Sequence, residues 1–520
     1  MDFLKRDKFF PKYKNSIYIL SVLIFFLFIY LSFYPGLPAE LFFIDDDITL
    51  SSVPEGNLNL KNLWTIWKPT PKPVFLPLND FTFFIDFNLA KIFNIHPNKM
   101  MRLSNFFFLA LSALMTSLLF SNCKNLPIVA FFLGLLFALH PLHVVPTLWI
   151  ASRKDVLFCL LILTTVFLYT KRKLGLAFLA FLMAFFAKQT TYGLLFWILP
   201  YEFLFLSKDK MERPTILLRL RKMLINTSPF ILATLIILPV SISLSTIHPS
   251  PMIFLWDKTY LLIQHYFLKV LWPYPITQYY PRPSGLSGFF TILSLLFLVI
   301  LWVAPIFLFF KEKCSLWVAS QILLAFALIQ PYIITVPQVY YVNNAYAYAF
   351  IAPLLLVIFD FLWNGLKKPI FQKSLTFLLL IGCLACIPYD QFLAQDFVNP
   401  VKAFERNNRF YPNDRFILTR LGHAAYFVGD KEKALLAFEK ALKIRLKESG
   451  QISKDAFEGI KVICSQDKDF ACLESLGILA AKNSRPYYCQ DLEKWLKQLS
   501  LTDQVNLKPC YQKFLNESSP

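Results

Sequence analysis

The sequence predicts an α-helical, polytopic membrane protein that carries a soluble all-α tail, and three observations support that expectation. Of 520 residues, 56% are hydrophobic and 17% aromatic, with only 14 glycines, a balance too apolar for one large soluble core. The apolar residues come in long runs separated by short basic clusters, and beyond about residue 390 the composition turns mixed and charged. The formal net charge is +19. Its confinement to clusters between apolar runs is what the positive-inside rule produces, which points to membrane lipid rather than nucleic acid as the charged partner.

Lys5, Arg6, Lys8, Lys12 and Lys14 precede a first apolar span near 16–34 and place the N-terminus in the cytoplasm. No small-residue cleavage site follows, so the span reads as an anchor rather than a removable signal. Further spans are expected near 102–121, 126–143, 155–170, 174–187, 191–206, 223–247, 285–310, 315–333, 345–364 and 372–389. That makes about eleven helices of roughly the 17–25 residues a bilayer requires, the shorter ones tilted or re-entrant. Basic clusters at Lys171-Arg172-Lys173, Lys208 through Lys222, Lys311 and Lys313, and Lys367-Lys368 then fall on alternate loops. A bacterial inner (plasma) membrane location follows, with residues 1–390 in the membrane and 391–520 outside the cytoplasm, in the periplasm.

Two long loops lie on the outer side, 36–101 and 248–284. The first holds three adjacent carboxylates, Asp45, Asp46 and Asp47, which repel one another and lose hydration at a membrane surface. It continues through Trp64 and Trp67, a proline ladder at Pro69, Pro71, Pro73 and Pro77, and a segment 80–87. There Phe81, Phe84, Ile85 and Phe87 fall to one side of a helix, as in a helix lying on the membrane surface. Asp80 and Asp86 read as auxiliary acids or as helix-cap and surface residues. The second loop repeats the aromatic theme with Trp256, Tyr260, His265, Tyr266 and Trp272, then Tyr279, Tyr280 and Arg282.

The stretch Ala138 to Leu157 gathers His140, His143, Arg153, Lys154 and Asp155 at the outer end of a helical hairpin. Such residues are costly at a membrane boundary unless they meet a charged ligand, and an anionic phosphate suits a paired-donor Arg beside a point-charge Lys. In the alternative, Arg153 pairs with Asp155 while Lys154 snorkels to the headgroups. The two histidines, three residues apart with Pro141 between them, have no third partner at zinc spacing.

In the tail, Leu421-Gly422, Gly429, Ala434, Phe438 and Ala441 match the small and aromatic positions of a tetratricopeptide repeat. A second, degenerate helix pair is expected at 455–480 and a terminal cap at 486–516, since one repeat cannot bury its own face. Cys123, Cys159, Cys314, Cys383 and Cys386 lie in or near spans as apolar packing residues. Cys464, Cys472, Cys489 and Cys510 all fall in the tail; outside the cytoplasm they suggest two disulfides, with three connectivities open.

His140-Pro-Leu-His143 followed by Trp149-Ile-Ala-Ser-Arg-Lys-Asp-Val-Leu157 resembles the signature of the transmembrane and tetratricopeptide-repeat O-mannosyltransferases and their bacterial relatives. In the same order, Ile44 to Ile48 resembles that family's acidic first-loop motif, and Phe75-Leu76-Pro77-Leu78 its Tyr-Arg-Pro-Leu. Arg102-Leu103-Ser104-Asn105 resembles its His-Leu-x-Asn, and Ala187-Lys188-Gln189 its Lys-Pro turn. The resemblance implies the C-type glycosyltransferase fold, a catalytic Asp in the first outer loop and a polyprenyl-phosphate-linked sugar, such as mannose, as donor. Leu76 departs from the family's arginine, and Asn344-Ala345-Tyr346-Ala347-Tyr348 from its Asp-Arg-Tyr-Leu-Tyr. Arg102, Arg153, Lys154 and Arg282, with His140 and His143, remain to bind the donor phosphate.

A lipid-phosphate sugar already carries a good leaving group, so transfer needs one carboxylate to take the acceptor's proton and cations to hold the phosphate. Asp46 is the favoured base by its position in the motif, with Asp45 or Asp47 as alternatives and Asp80 or Asp155 as auxiliary groups. Asp45 and Asp47 could also hold a divalent cation such as magnesium or manganese through oxygen ligands. The acceptor would be a protein Ser or Thr hydroxyl or a glycan, recognised through the tail. Two other classes compete: an inactive membrane scaffold presenting the repeat domain, and a transporter or flippase for a lipid-linked sugar. A transporter should carry ionisable residues in mid-span, whereas Lys188 and Glu202 lie near span ends.

Overall fold

A computed structural model describes residues 14–39, 46–68 without 55 and 58, 75–206 without 123 and 125, 216–245, 268–281 without 278, 288–310, 315–334, 341–482 without 367 and 450, 486–498 and 505. The chain forms two compact units, Met1–Val398 and Asn399–Pro520. The boundary falls later than the change in composition near 390, because a single helix runs through that change and buries Leu393, Ala394 and Phe397 in its last turns.

The first unit begins with α1 (Lys14–Phe33). The first long loop contributes α2 (Asp46–Leu50), α3 (Leu60–Trp67) and α4 (Pro77–Phe93). Next come α5 (Pro97–Ser121), α6 (Pro127–Ala138), α7 (Val144–Leu148), α8 (Arg153–Thr170), α9 (Leu174–Ala187) and α10 (Leu195–Leu206). The unit closes with α11 (Ile216–Leu244), α12 (Leu268–Leu271), α13 (Gly288–Phe310), α14 (Leu316–Ile334), α15 (Ile351–Gly365) and α16 (Pro369–Val398). Among the described residues the strands are β1 (Tyr279–Pro281) and β2 (Tyr341–Asn343), paired antiparallel with Tyr280 opposite Val342.

Proline starts several of these helices. Pro77, Pro97 and Pro127 occupy first-turn positions, where the missing N–H costs nothing. Helix α4 ends at Asn94 in the left-handed region, φ 51°, a conformation asparagine tolerates. Among the described residues four segments, Ser16–Gly36, Pro97–Ser121, Ile216–Leu244 and Pro369–Val398, are each long and apolar enough to cross a membrane. A fifth could cross if Pro127–Ala138 and Pro141–Leu148, bent by 46°, act as one broken span. The break sits at Pro141, which has no N–H to continue the helical ladder. Outward faces are apolar: Leu23, Leu235, Ile292, Val303 and Phe377 are all exposed, a surface that lipid rather than water would cover. Gly134 lets α6 close on α5, since a Cβ there would collide with Ser117 Oγ and the Ala113 carbonyl.

Two expectations change. The segment 80–87 does not lie on a surface as a one-sided apolar strip. It is the middle of α4, packed against α5 and α9, with Phe83 and Phe84 buried and both Asp80 and Asp86 only 3% exposed. Asp80 and Asp86 are therefore neither surface groups nor plain caps. The expected span 345–364 begins later, at Ile351, because Asn344–Ala347 forms a 3-10 turn leading out of β2. The remaining proline ladder, Pro69, Pro71 and Pro73, and residues 248–267 with their aromatics lie outside the described residues.

The second unit is a run of helices, each packed on the next: α17 (Pro400–Phe410), α18 (Arg415–Phe427), α19 (Lys431–Ser449), α20 (Lys454–Gln466), α21 (Phe470–Lys482) and α22 (Pro486–Gln498). Asp414 caps α18 by accepting the Phe416 and Ile417 N–H groups at 3.0 and 2.9 Å. Gly429, at φ 87°, makes the turn into α19. Phe438 is the wedge of the array. A Cβ on Gly422 of α18 would come within 2.6 Å of its ring, and one on Gly459 of α20 within 2.5 Å. Lys461 Nζ ties α20 to α22 through Asp491 at 2.6 Å and also meets Glu458 at 2.6 Å.

Of the four tail cysteines, Cys464 and Cys472 form a disulfide across the α20–α21 turn, while Cys510 and the Cys489 side chain lie outside the description. Closing a loop with a sequence separation of 8 is worth about 2.5 kcal/mol in the chain-entropy view. Reduction should lower the opening free energy of residues 454–482 by that amount, read by hydrogen exchange in reductant. Cys464→Ser should show the same loss without reductant, and unchanged exchange in both would contradict the bridge.

Candidate functional site

Asp46 of the acidic triplet meets the stretch Ala138 to Leu157, although about a hundred residues separate them. Asp46 opens α2, is fully buried, and its Oδ1 accepts the Ala151 N–H at 2.8 Å. Ala151 lies in the 3-10 turn Ile150–Ser152 that leads into α8, where backbone N–H groups lack helical acceptors and favour a carboxylate. The Arg102 guanidinium, also fully buried, acts on Asp46 electrostatically. It donates to the carbonyls of Leu148 at 3.0 Å, Leu37 at 3.5 Å and Ala39. Around this point Val53, Ile66, Phe83, Phe84, Met101 and Ile150 form one apolar cluster, so α2, α3, α4 and α5 are all fitted to the start of α8.

Arg153 is the second hub. Its guanidinium pairs with Asp86 at 2.5 Å, donates from Nε to Asn105 Oδ1 at 2.8 Å and from a terminal nitrogen to the Met101 carbonyl at 2.5 Å, and lies over the Phe83 ring at 4.2 Å. Ser104 Oγ donates to Asp86 at 2.6 Å, and Asn105 Nδ2 to the Thr147 carbonyl at 3.0 Å. Asp80 accepts from Ser52 Oγ at 3.0 Å. The alternative pairing of Arg153 with Asp155 does not occur: Arg153 pairs with Asp86, and Asp155 with Lys188 across α8 and the end of α9. Lys154 is half-buried, and no ion pair of it is found among the described residues.

Both histidines are bound within the protein. His140 Nε2 lies 3.1 Å from the Val270 carbonyl while its Nδ1 accepts the Leu142 N–H at 3.3 Å, which requires the Nε2–H tautomer. His143 Nε2 lies 3.3 Å from the Tyr348 carbonyl, with its ring 4.2 Å from that of Tyr348 and 4.6 Å from that of Phe137. Arg102, Arg153, His140 and His143, the expected donor-phosphate ligands, are each buried and engaged with protein groups that a phosphate would have to displace. Asp45, the Asp47 side chain and Arg282 lie outside the described residues. Among the described residues no three His, Cys, Asp or Glu side chains converge as metal ligands.

Two participants carried no recognisable sequence signal, Ser52 and, between α11 and β1, Lys269, while Ser104 and Tyr348 stood inside quoted motifs without an assigned role. The half-buried Lys269 Nζ donates to the Pro275 carbonyl at 2.6 Å and sits 5.6 Å from the Tyr280 ring centre. Burial pushes its ammonium down to about 8. A lone lysine between Leu268 and Val270 has no motif to mark it. No protein-family model matches the chain, and no curated protein matches it.

Proposed function

We propose that the chain is an integral membrane glycosyltransferase, which moves a sugar from a polyprenyl-phosphate donor to a hydroxyl on the outer face, a protein Ser or Thr or a glycan. The observation that carries this is the docking of Asp46, the middle of the acidic triplet, onto the segment before α8 through its 2.8 Å hydrogen bond from the Ala151 N–H. It unites the two sequence features that resemble the transmembrane and tetratricopeptide-repeat O-mannosyltransferases. In this reading the membrane unit has about eleven spans in the C-type glycosyltransferase arrangement, with the N-terminus cytoplasmic and the tail periplasmic. The Cys464–Cys472 disulfide fits a tail in an oxidising compartment. The helix pairs around Phe438 fit a tetratricopeptide-like array that recognises the acceptor or a partner.

A carboxylate of the triplet takes the acceptor hydroxyl proton as the oxygen bonds to the anomeric carbon. The bond from that carbon to phosphate breaks, polyprenyl phosphate leaves with the electron pair, and configuration inverts. Asp46 is fully buried on Ala151, so its part is to position the triplet, and the base is Asp45 or Asp47. Lys154, half-buried just beyond that contact, is available to the departing phosphate.

The test replaces each Asp of the triplet by Asn and follows radiolabelled sugar from polyprenyl-phosphate donors into protein and lipid fractions. Asp45→Asn or Asp47→Asn should lower transfer at least about a hundredfold with normal stability. Asp46→Asn should lower kcat and also thermal stability, by about 1–3 kcal/mol, as a buried charge-assisted hydrogen bond becomes a neutral one. No labelling by wild type from any donor would leave the scaffold, a reading favoured by the internal engagement of Arg102, Arg153, His140 and His143.

A further inference from the structure

Residues 268–277 form an arc clamped to the buried interior of the first unit. The Val270 carbonyl meets His140 Nε2 at 3.1 Å, the Ile276 N–H donates to Tyr389 Oη at 3.4 Å, and the Thr277 carbonyl accepts from Asn344 Nδ2 at 2.9 Å. Between these clamps the outer rim is apolar and aromatic: Leu268, Leu271, Trp272 and Tyr274 are exposed, Trp272 by 71%. Tryptophan and tyrosine in such a rim favour the bilayer interface.

Lys269 sits within this arc. A lysine that merely snorkelled would extend its ammonium into hydrated headgroups. Here the chain folds back, held by the Pro275 carbonyl and the face of Tyr280. Elsewhere in the unit Arg153, Lys188, Arg172 and Lys124 each pair with a carboxylate. Lys269 pairs with none among the described residues. A partly desolvated ammonium with no counter-charge among the described residues carries an electrostatic cost that a phosphate oxygen would offset.

We infer that Lys269 holds the phosphate of a polyisoprenoid phosphate, whose chain lies along the exposed Leu268, Leu271 and Trp272. The inference rests on the proposed donor class, and it assigns the phosphate to a residue outside every motif of the sequence.

The test uses the full chain in phosphatidylcholine nanodiscs, with radiolabelled polyprenyl phosphate as the probe and the uncharged polyprenol as its control. Lys269→Ala should weaken polyprenyl phosphate binding about tenfold, which is about 1.4 kcal/mol. Polyprenol binding should be unaffected, Lys269→Arg should retain phosphate binding, and thermal unfolding should match wild type in both variants. Wild-type binding should weaken as pH rises through about 8, where the ammonium deprotonates, while Lys269→Arg stays flat. The other titratable groups facing the arc are His140, Tyr280 and Tyr389, and the probe's own second ionisation lies near about 6. Wild-type affinity in Lys269→Ala would overturn the inference. So would equal displacement by phosphatidylglycerol, which would assign Lys269 to bulk anionic lipid. Lys269-dependent binding without any sugar transfer would uphold the site while refuting the transferase.

Discussion

Replacing Arg153 by methionine is expected to destabilise the membrane unit by about 3–5 kcal/mol, the penalty for leaving a buried carboxylate without its partner. The pair lies wholly inside the protein, with Arg153 0% and Asp86 4% exposed at their side chains and 2.5 Å between charged atoms. Arg153 also serves Asn105 and the Met101 carbonyl, so its loss unpins α8 from α5 as well as from α4. Asp86→Asn should also destabilise, since it leaves the buried Arg153 cation without its counter-charge, but by less, because the amide oxygen still accepts from Ser104 and Arg153 keeps Asn105 and the Met101 carbonyl as acceptors. The double variant Arg153→Met with Asp86→Leu should recover part of the loss, since the two sites share one interaction. The readout is the fraction folded in detergent against temperature or denaturant. Normal stability in Arg153→Met, combined with lost donor binding, would return Arg153 to the role of phosphate ligand.

Phe438→Ala is expected to cost the tail about 3–5 kcal/mol. The ring is 1% exposed and fills the space that Gly422 and Gly459 leave on the two neighbouring helices, so truncation opens a cavity bounded by backbone that cannot collapse easily. The complementary change, Gly422→Ala, should cost about 1–3 kcal/mol by overpacking against the same ring. Hydrogen exchange across 415–466 in the full chain measures both. If Phe438→Ala left protection intact, the ring would not be what holds α18, α19 and α20 together.

These effects differ in how visible they were beforehand. The tail wedge was legible, because small residues at Gly422, Ala434 and Ala441 around Phe438 mark helix faces that pack closely whatever their neighbours are. The importance of the stretch Ala138 to Leu157 was legible too, as charged residues at a membrane boundary demand partners. Their partners were not. Arg153 and Asp155 stand two apart on α8, turned about 200° from each other, so they cannot face one another and each must find its counter-charge on a different helix.

The sequence by itself determined roughly where most helices run, their apolar faces and the change to a more charged tail, because hydropathy and prolines at helix starts act within a few residues. Only the tertiary structure decided that Arg153 meets Asp86, Lys188 meets Asp155 and Asp46 meets the Ala151 N–H. It also buried both histidines and left Lys269 without a carboxylate among the described residues. Those outcomes depend on how helices distant in sequence pack against one another. In an apolar interior every buried charge must be matched there, whichever residue supplies the match.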